Sequence, residues 1–416
     1  YGKGVRCADM NKLKSLNKFT LTNIKSYGLV IIAFAILFPL QSAGLISNSI
    51  SGQLVPICTY VVMAISLTLT VGFLGELSLG HAGFMSVGAF TGVITAICLQ
   101  DVITVPALQL LTAIIAGGIF AGIAGLIIGI PVLRLRGDYL AIVTLAFGEI
   151  IKNIINCLYI GVDASGLHVS MTGADALGMA NGKLILNGPQ GAVGINKIAT
   201  FGAGVLLILF ALFIVLNFVN SKTGRAVTAI RDNRIAAESV GIGITRYKLT
   251  AFITSAVLAG MAGALYAMNF STIAAKKFDF NTSILILVFV VLGGMNNIPG
   301  TIIATALLYV LPELLRSMAD YRMLIYAIVL ILVMIITNSE QAKLMRERIM
   351  FKLKNGKAIE GFMPDWIGEF YAYYQWYYNL PSSEVVKKVP VAFLEKAYGG
   401  LHDLELDLAV QKVGEV

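Results

Sequence analysis

Apolar runs near the twenty residues that a helix needs to cross a bilayer recur along this chain. They fall at 27–46, 54–74, 82–99, 106–130, 139–160, 200–219, 249–270, 281–294, 298–315 and 322–337. The stretch 281–315 is too long for one crossing. It is interrupted by Gly293-Gly294-Met295-Asn296-Asn297-Ile298-Pro299-Gly300 and is therefore read as two spans. Composition agrees: 57% of residues are hydrophobic, a further 42 are glycine, and 13% are charged. A soluble domain carries about twice that charge, and a disordered chain is polar. The sequence predicts an all-α, polytopic transmembrane helix bundle of about ten spans, some of them broken or re-entrant, followed by a cytoplasmic carboxy-terminal tail.

Basic residues set the expected orientation, because short Lys/Arg-rich loops stay in the cytoplasm. Residues 1–26 hold six Lys/Arg and one acid. Arg134 and Arg136 follow the fourth span, and Lys222, Arg225, Arg231, Arg234, Arg246 and Lys248 follow the sixth. Lys343, Arg346, Arg348, Lys352, Lys354 and Lys357 follow the tenth. Ten spans place all four clusters, and both termini, inside; only Lys276 and Lys277 fall outside. The expected divisions are a cytoplasmic segment 1–26, a membrane domain 27–337, a linker 338–390 and a tail 391–416. The loop 161–199, rich in Gly, Asn and Ala, is then external. Trp366 and Trp376 lie in the linker among five tyrosines and suit either the headgroup level or a small packed unit.

The net charge of +8 sits at the edges of apolar runs, so nucleic-acid binding is not expected. Cys7, Cys58, Cys98 and Cys157 show no metal or disulfide spacing and read as small hydrophobes. No metal site is expected. The chain opens on Tyr1, which makes Met10 a candidate start, and the long first apolar run lacks a cleavage pattern.

Ionisable groups within the spans are few: Glu76, His81, Glu149, Lys152 and Glu313. Glu149 and Lys152 are three apart on one helix and are expected to pair. An ion-coupled carrier usually needs more such groups as relays. Two glycine-broken segments stand out instead. One carries Gly80 and Gly83 with Glu76, Ser78 and His81; the other carries Gly293, Gly294, Asn296 and Asn297. Broken helices in both halves point to a translocation path, with close packing through small residues as the alternative.

The internal loop 221–248 reads as a cytoplasmic amphipathic helix. Ala226, Ala229, Ile230 and Ala237 share one face after Gly224, while Arg225, Arg231 and Arg234 decorate the rest. Gly241 and Gly243 stop it. Such a helix suits docking into a cleft of a soluble partner or lying on headgroups; the small alanine face disfavours deep insertion.

At this loop the chain resembles the inner-membrane permeases of ABC importers. Ile235-Ala236-Ala237-Glu238-Ser239-Val240-Gly241 looks like their EAA-type loop, with Ile235 in place of the leading acid. More specifically, the chain is similar to the LivM family of branched-chain amino-acid permeases through four blocks. These are GELSLGHAGFMSVGAF at 75–90, LRLRGDYLAIVTLAFGEIIK at 133–152, GRAVTAIRDNRIAAESVGIGITRYKLTAF at 224–252 and VLGGMNNIPGTIIATALLYVLPELLR at 291–316. The resemblance covers about 27–337. It implies a multi-pass subunit of a bacterial inner membrane that imports Leu, Ile and Val and is not itself an enzyme. The implied partners are a LivH-like second permease subunit, two ABC ATPase subunits or domains, and a periplasmic amino-acid binding protein. It assigns ATPase docking to Gly224, Arg225, Ala229, Arg231, Arg234, Ala236, Ala237, Glu238 and Gly241, with ATP and Mg on the partner and no cofactor on this chain. Urea or short-amide permeases share much of this pattern; an ion-coupled secondary amino-acid transporter is the rival of another class.

In the tail, Phe393–Leu401, the alternating Leu404, Leu406, Leu408 and Val410, and Gly414-Glu415-Val416 resemble the opening of an ABC ATPase. That likeness implies an adenine-stacking role for Tyr398 and a permease–ATPase fusion.

Overall fold

A computed structural model describes residues 26–44, 47–100, 102–135, 138–163, 166–179, 182–315 and the three positions 327, 328 and 331. The chain divides into two units, Tyr1–Leu330 and Ile331–Val416, and all the described residues but Ile331 belong to the first. Residues 1–25, Arg136, most of the run 322–337, the linker 338–390 and the tail 391–416, with Tyr398 and the aromatic cluster, lie outside the described residues.

The order is α1 (Ser26–Ser42), α2 (Asn48–Thr68) prolonged by a π-helical turn Leu69–Phe73, α3 (His81–Cys98), α4 (Pro106–Val132) and α5 (Asp138–Asn156). Strands β1 (Tyr159–Asp163), β2 (Gly166–Ser170), β3 (Lys183–Asn187) and β4 (Ala192–Val193) follow. Then come α6 (Phe201–Asn220), α7 (Lys222–Asp232), α8 (Arg234–Ser239), α9 (Ile244–Ala267), β5 (Thr272–Ile273), α10 (Phe280–Gly293) and α11 (Ile298–Leu314). Among the described residues, α2 with its π turn, α3, α4, α5, α6 and α9 are the six helices long and apolar enough to cross a membrane. Most ends fall within a few residues of the apolar runs. The starts of α2 and α9 lie earlier, because their first turns are built from polar residues that hydropathy alone does not capture.

Local signals explain the helix starts. Thr200, Ser221, Asn233, Asp279 and Asn297 each accept a backbone N–H in the first turn of the helix they precede. Pro106 opens α4, where its missing N–H costs nothing.

The distribution of side chains on α4 is that of a lipid-facing helix. Its large residues Leu111, Ile115, Ile119, Ile123 and Ile127 point outward, and its small residues Gly117, Ala121, Gly125 and Gly129 are buried. A soluble helix reverses this arrangement. In lipid, where apolar burial gives no preference between tail and protein, close backbone packing through small residues drives association. The buried stripe of α4 lies on α9, and α3 joins them, so α3, α4 and α9 form the heart of the bundle.

The all-α expectation needs one correction. The loop after α5 folds into an antiparallel sheet of order β2-β1-β3-β4-β5. Its strands are short, and β5 is supplied from beyond α9, where Ala192 pairs with Ile273 and Val193 with Thr272. Outside the apolar runs, backbone groups need partners, and cross-strand bonds satisfy them.

This pairing also defines the two ends of the bundle. The sheet, the α3–α4 turn and the α9–α10 connection share one end, where Gln109 Nε2 donates to Ala96 O at 2.6 Å and Ile195 N to Ser271 O at 3.0 Å. At the other end, Gly129 near the close of α4 packs on Leu249 and Phe252 of α9, and α7 and α8 lie there with the α2–α3 and α10–α11 turns. Arg134 and the basic cluster Lys222–Lys248 fall at this loop end, and Lys276 and Lys277 at the sheet end.

Candidate functional site

The first glycine-broken segment is a re-entrant turn. The π turn ends α2 at Phe73, with Leu74 N donating to Leu69 O at 3.1 Å and Glu76 N to Thr70 O at 3.1 Å. Gly75 adopts φ +74°, which an L side chain rarely takes. The chain then climbs back into the bundle. Glu76 pairs with Lys248 in the first turns of α9, whereas Ser66, which meets His81 Nε2 at 2.7 Å, also accepts Ser255 Oγ from the middle of α9. Between those levels lie about 10 Å of helix rise, covered by the chain from Glu76 to His81.

Helix α3 therefore begins inside the bundle. Leu79 N donates to Thr144 Oγ1 of α5 at 3.1 Å, and Ala82 N to Ser283 Oγ in the first turn of α10 at 3.1 Å. The N-termini of α3 and α10 thus meet at depth, beside a small crevice bounded by Gly83, Gly148, Asp279 and Ser283. A Cβ on Gly80 would stand 2.1 Å from Thr144 O, and one on Gly83 would stand 2.9 Å from Gly148 Cα. Both glycines occupy points of backbone contact. Ser78, like Ser86 on α3, buries a hydroxyl that has no hydrogen-bond partner among the described residues.

The second break is equally tight. Helices α10 and α11 cross where a Cβ on Gly293 would fall 2.3 Å from Thr301 Cα and one on Gly300 2.2 Å from Gly293 O. Gly294 turns with φ +93°. Asn297 caps α11 by accepting Gly300 N at 3.3 Å, so its side chain is committed to the turn. The two breaks touch: a Cβ on Gly72 would lie 1.7 Å from Met295 O.

The loop-end element differs from the single helix expected over 224–241. It is two helices, α7 and α8, parted at Asn233, whose backbone is extended (φ −154°, ψ 104°) and whose side chain caps α8. Asparagine competes for backbone donors and so favours a fresh helix start over helix interior. The buried face is Gly224, Val227 and Ile230 of α7 with Ala237 of α8; Ala226 and Ala229 are half-buried at its margin. Val227 packs with Leu69, Leu74 and Ala251, directly beneath the first break. Ile230 and Ala237 pack with Ile244. The end of α8 is a Schellman turn: Gly241 at φ +84° donates to Glu238 O at 3.0 Å, and Ile242 N donates to Ala237 O at 3.1 Å. Arg225, Ala236 and Glu238 are exposed and Arg234 is half-buried. Ile235 and Val240 are 81% and 75% exposed, two bare apolar side chains flanking this turn.

Gly224 fixes the corner between α6 and α7. A Cβ there would sit 2.2 Å from Phe218 O and 2.4 Å from Val219 O. Gly224→Ala is expected to lift α7 off its seat, at a cost of about 1–3 kcal/mol. Limited trypsin digestion checks this: cleavage after Arg225 should run several-fold faster than in the wild type, and an unchanged rate would mean the corner tolerates the methyl.

Sequence reasoning located both breaks and Glu76 but missed what answers them. Lys248 entered only as a loop charge; it is buried and bound to Glu76, 172 positions away. Thr144, Gly148 and Ser283 carried no visible signal. The Glu149–Lys152 pair formed as spacing predicted. Glu313, the remaining ionisable group of the spans, accepts Ser49 Oγ.

A family model described as "Branched-chain amino acid transport system / permease component" matches residues 49–337. The high-affinity branched-chain amino acid transport system permease protein LivM of Escherichia coli (strain K12) is 33% identical over 333 residues, 72% of this chain and 71% of that one. LivM of Salmonella typhimurium is 32% identical over the same length. The L-arabinose ABC transporter permease protein AraH of Azospirillum brasilense is 27% identical over 279 residues, 65% of this chain and 73% of that one.

Proposed function

The chain belongs to the branched-chain amino-acid transport permease family, and from that premise we propose that it imports leucine, isoleucine and valine across the bacterial inner membrane. In this proposal the loop end faces the cytoplasm. ATPase subunits grip α7 and α8, a second permease subunit completes the pathway, and a binding protein delivers substrate at the sheet end. The observation that carries it is the two-helix element at the loop end. One face of it is buried beneath the first break, and the other presents Arg225, Ile235, Ala236, Glu238 and Val240. A surface that mixes bare apolar side chains with charge suits a protein partner better than headgroups alone.

ATP binds the partner ATPases in this scheme. Their differential affinity for two arrangements of the permease supplies the energy that moves α7 and α8. The positive charge at the loop end fits a cytoplasmic placement.

The test is uptake into proteoliposomes that hold the permease pair and its ATPases. Leucine accumulation is expected to rise at least tenfold with internal ATP and external binding protein, and to survive dissipation of ion gradients. Uptake that collapses with the gradient and ignores ATP would establish an ion-coupled carrier instead. Competition by urea, acetamide or arabinose at the binding protein, with leucine inert, would reassign the substrate.

A further inference from the structure

The family resemblance implies a docking role for Arg231; the residue is exposed, and its guanidinium also reaches both breaks. Nη1 donates to Gly72 O at 3.1 Å, on the first break, and to Asn296 Oδ1 at 3.2 Å, on the second. Nε and Nη2 both donate to Asp232 Oδ1, at 3.0 and 2.9 Å, which fixes the plane of the guanidinium. The stem occupies the space that a side chain at position 75 would need: a Cβ on Gly75 would lie 2.5 Å from Arg231 Cγ. One residue of α7 therefore bonds to both interrupted segments where they touch.

We propose that Arg231 is a positioning residue: a strut that transmits displacement of α7 to the α2–α3 and α10–α11 turns together. This rests on the reading of α7 and α8 as the motor-docking element. Val227 and Ile230 seat α7 through apolar contacts, which are non-directional and let a helix slide. A guanidinium with a rigid fork of donors is directional. Its two bonds lead to chain segments that run into α3 and α10, whose N-termini meet in the bundle through Ala82 and Ser283. A shift of α7 is thereby delivered to α3 through the segment that leads into it and to α10 at its carboxy-terminal end, and these two helices meet again at Ala82 and Ser283. Glycine at 72 and 75 is what allows the approach, since any side chain there would displace either Met295 or Arg231. Lysine replaces the guanidinium only in part, because one ammonium is a point donor on a flexible stem and lacks the second arm that Asp232 holds in plane.

Two experiments on the assembled transporter test the strut. Arg231→Gln should leave ATPase subunits co-purifying at the wild-type level and ATP hydrolysis within about twofold, while leucine uptake falls at least tenfold. Leucine moved per ATP then drops at least fivefold. Arg231→Lys should recover part of that ratio, and Asn296→Ala should lower it by less than Arg231→Gln does. Loss of the ATPases from the complex would make Arg231 a docking contact and overturn the proposal; an unchanged ratio, or hydrolysis and uptake falling in step, would overturn it as well. The second readout does not depend on transport. In detergent without nucleotide, Arg231→Gln should speed amide exchange at both 74–76 and 294–297 by about tenfold. Acceleration at one turn or neither sinks the strut whatever the transporter carries. Acceleration at both in a chain that shows no ATP-driven uptake keeps the bridge and refutes the docking reading.

Discussion

Lys248→Met is expected to cost about 3–5 kcal/mol, because removing one member of a buried ion pair strands the other. Glu76 and Lys248 are 15% and 7% exposed, and they are bound to each other. One oxygen of Glu76, Oε2, is buried and has no hydrogen-bond partner among the described residues. Glu76 therefore depends on Lys248 more than on its surroundings. The pair also closes the base of the re-entrant segment, where the chain leaves the π turn and climbs towards His81. The matched control is Lys248→Met combined with Glu76→Gln. Replacing both charges removes the stranded carboxylate, and swapping a buried pair for neutral groups of similar volume is often near neutral. The double variant should recover most of the loss; with Glu76→Gln measured alone to close the cycle, the coupling energy should be at least about 2 kcal/mol. Unfolding midpoints in an SDS titration of the purified permease check both arms. A single variant as stable as the wild type, or a double variant that merely sums two losses, would falsify this account.

The apolar runs made the helices legible, because an apolar stretch of bilayer length has few other ways to satisfy its backbone. The breaks were legible for a related reason: a cluster such as Gly72, Gly75, Gly80 and Gly83 is costly in a plain helix. What they do was not. Distinguishing a path from a contact requires knowing which backbone lies opposite, and Thr144 O or Met295 O leaves no trace in the sequence near Gly80 or Gly72. The sheet was hidden because its strands are at most five residues long and one is borrowed from beyond α9. The break at Asn233 does carry a sequence signal, since an Asn three residues before Ala236 is an N-cap pattern inside an otherwise continuous helical run. The contacts of Arg231 were not legible, because a charge on an amphipathic helix is ordinarily a solvated one; the residue is exposed, yet its guanidinium reaches Gly72 and Asn296.

Gly260→Val should abolish the folded permease, and Gly260→Ala should already remove more than about 3 kcal/mol, above the usual range for overpacking. Three helices meet at this residue. A Cβ on Gly260 would lie 2.2 Å from Ala121 Cβ and 2.5 Å from Gly117 O, both on α4, whereas ordinary contact begins at 3.4 Å. From α3, a Cβ on Gly88 would stand 2.1 Å from Gly260 O and 2.3 Å from Gly260 Cα. Gly117 closes the triangle, with its own Cβ position 2.8 Å from Gly88 O. The groups in the way are mostly backbone, which no rotamer change can clear, so a single methyl must part whole helices. Parting them forfeits dispersion along the α3–α4–α9 seam, and in lipid that packing holds the helices together without help from water. Gly202→Ala is the opposite case. It lies in the first turn of α6 with nothing within 4 Å of the added methyl, so it should gain up to about 1 kcal/mol from helix propensity. Yield of monodisperse protein after detergent extraction, followed by SDS unfolding of whatever is recovered, separates the two. If Gly260→Ala unfolds with Gly202→Ala rather than well below it, the seam is looser than its backbone distances require, and the close packing assigned to α3, α4 and α9 is wrong.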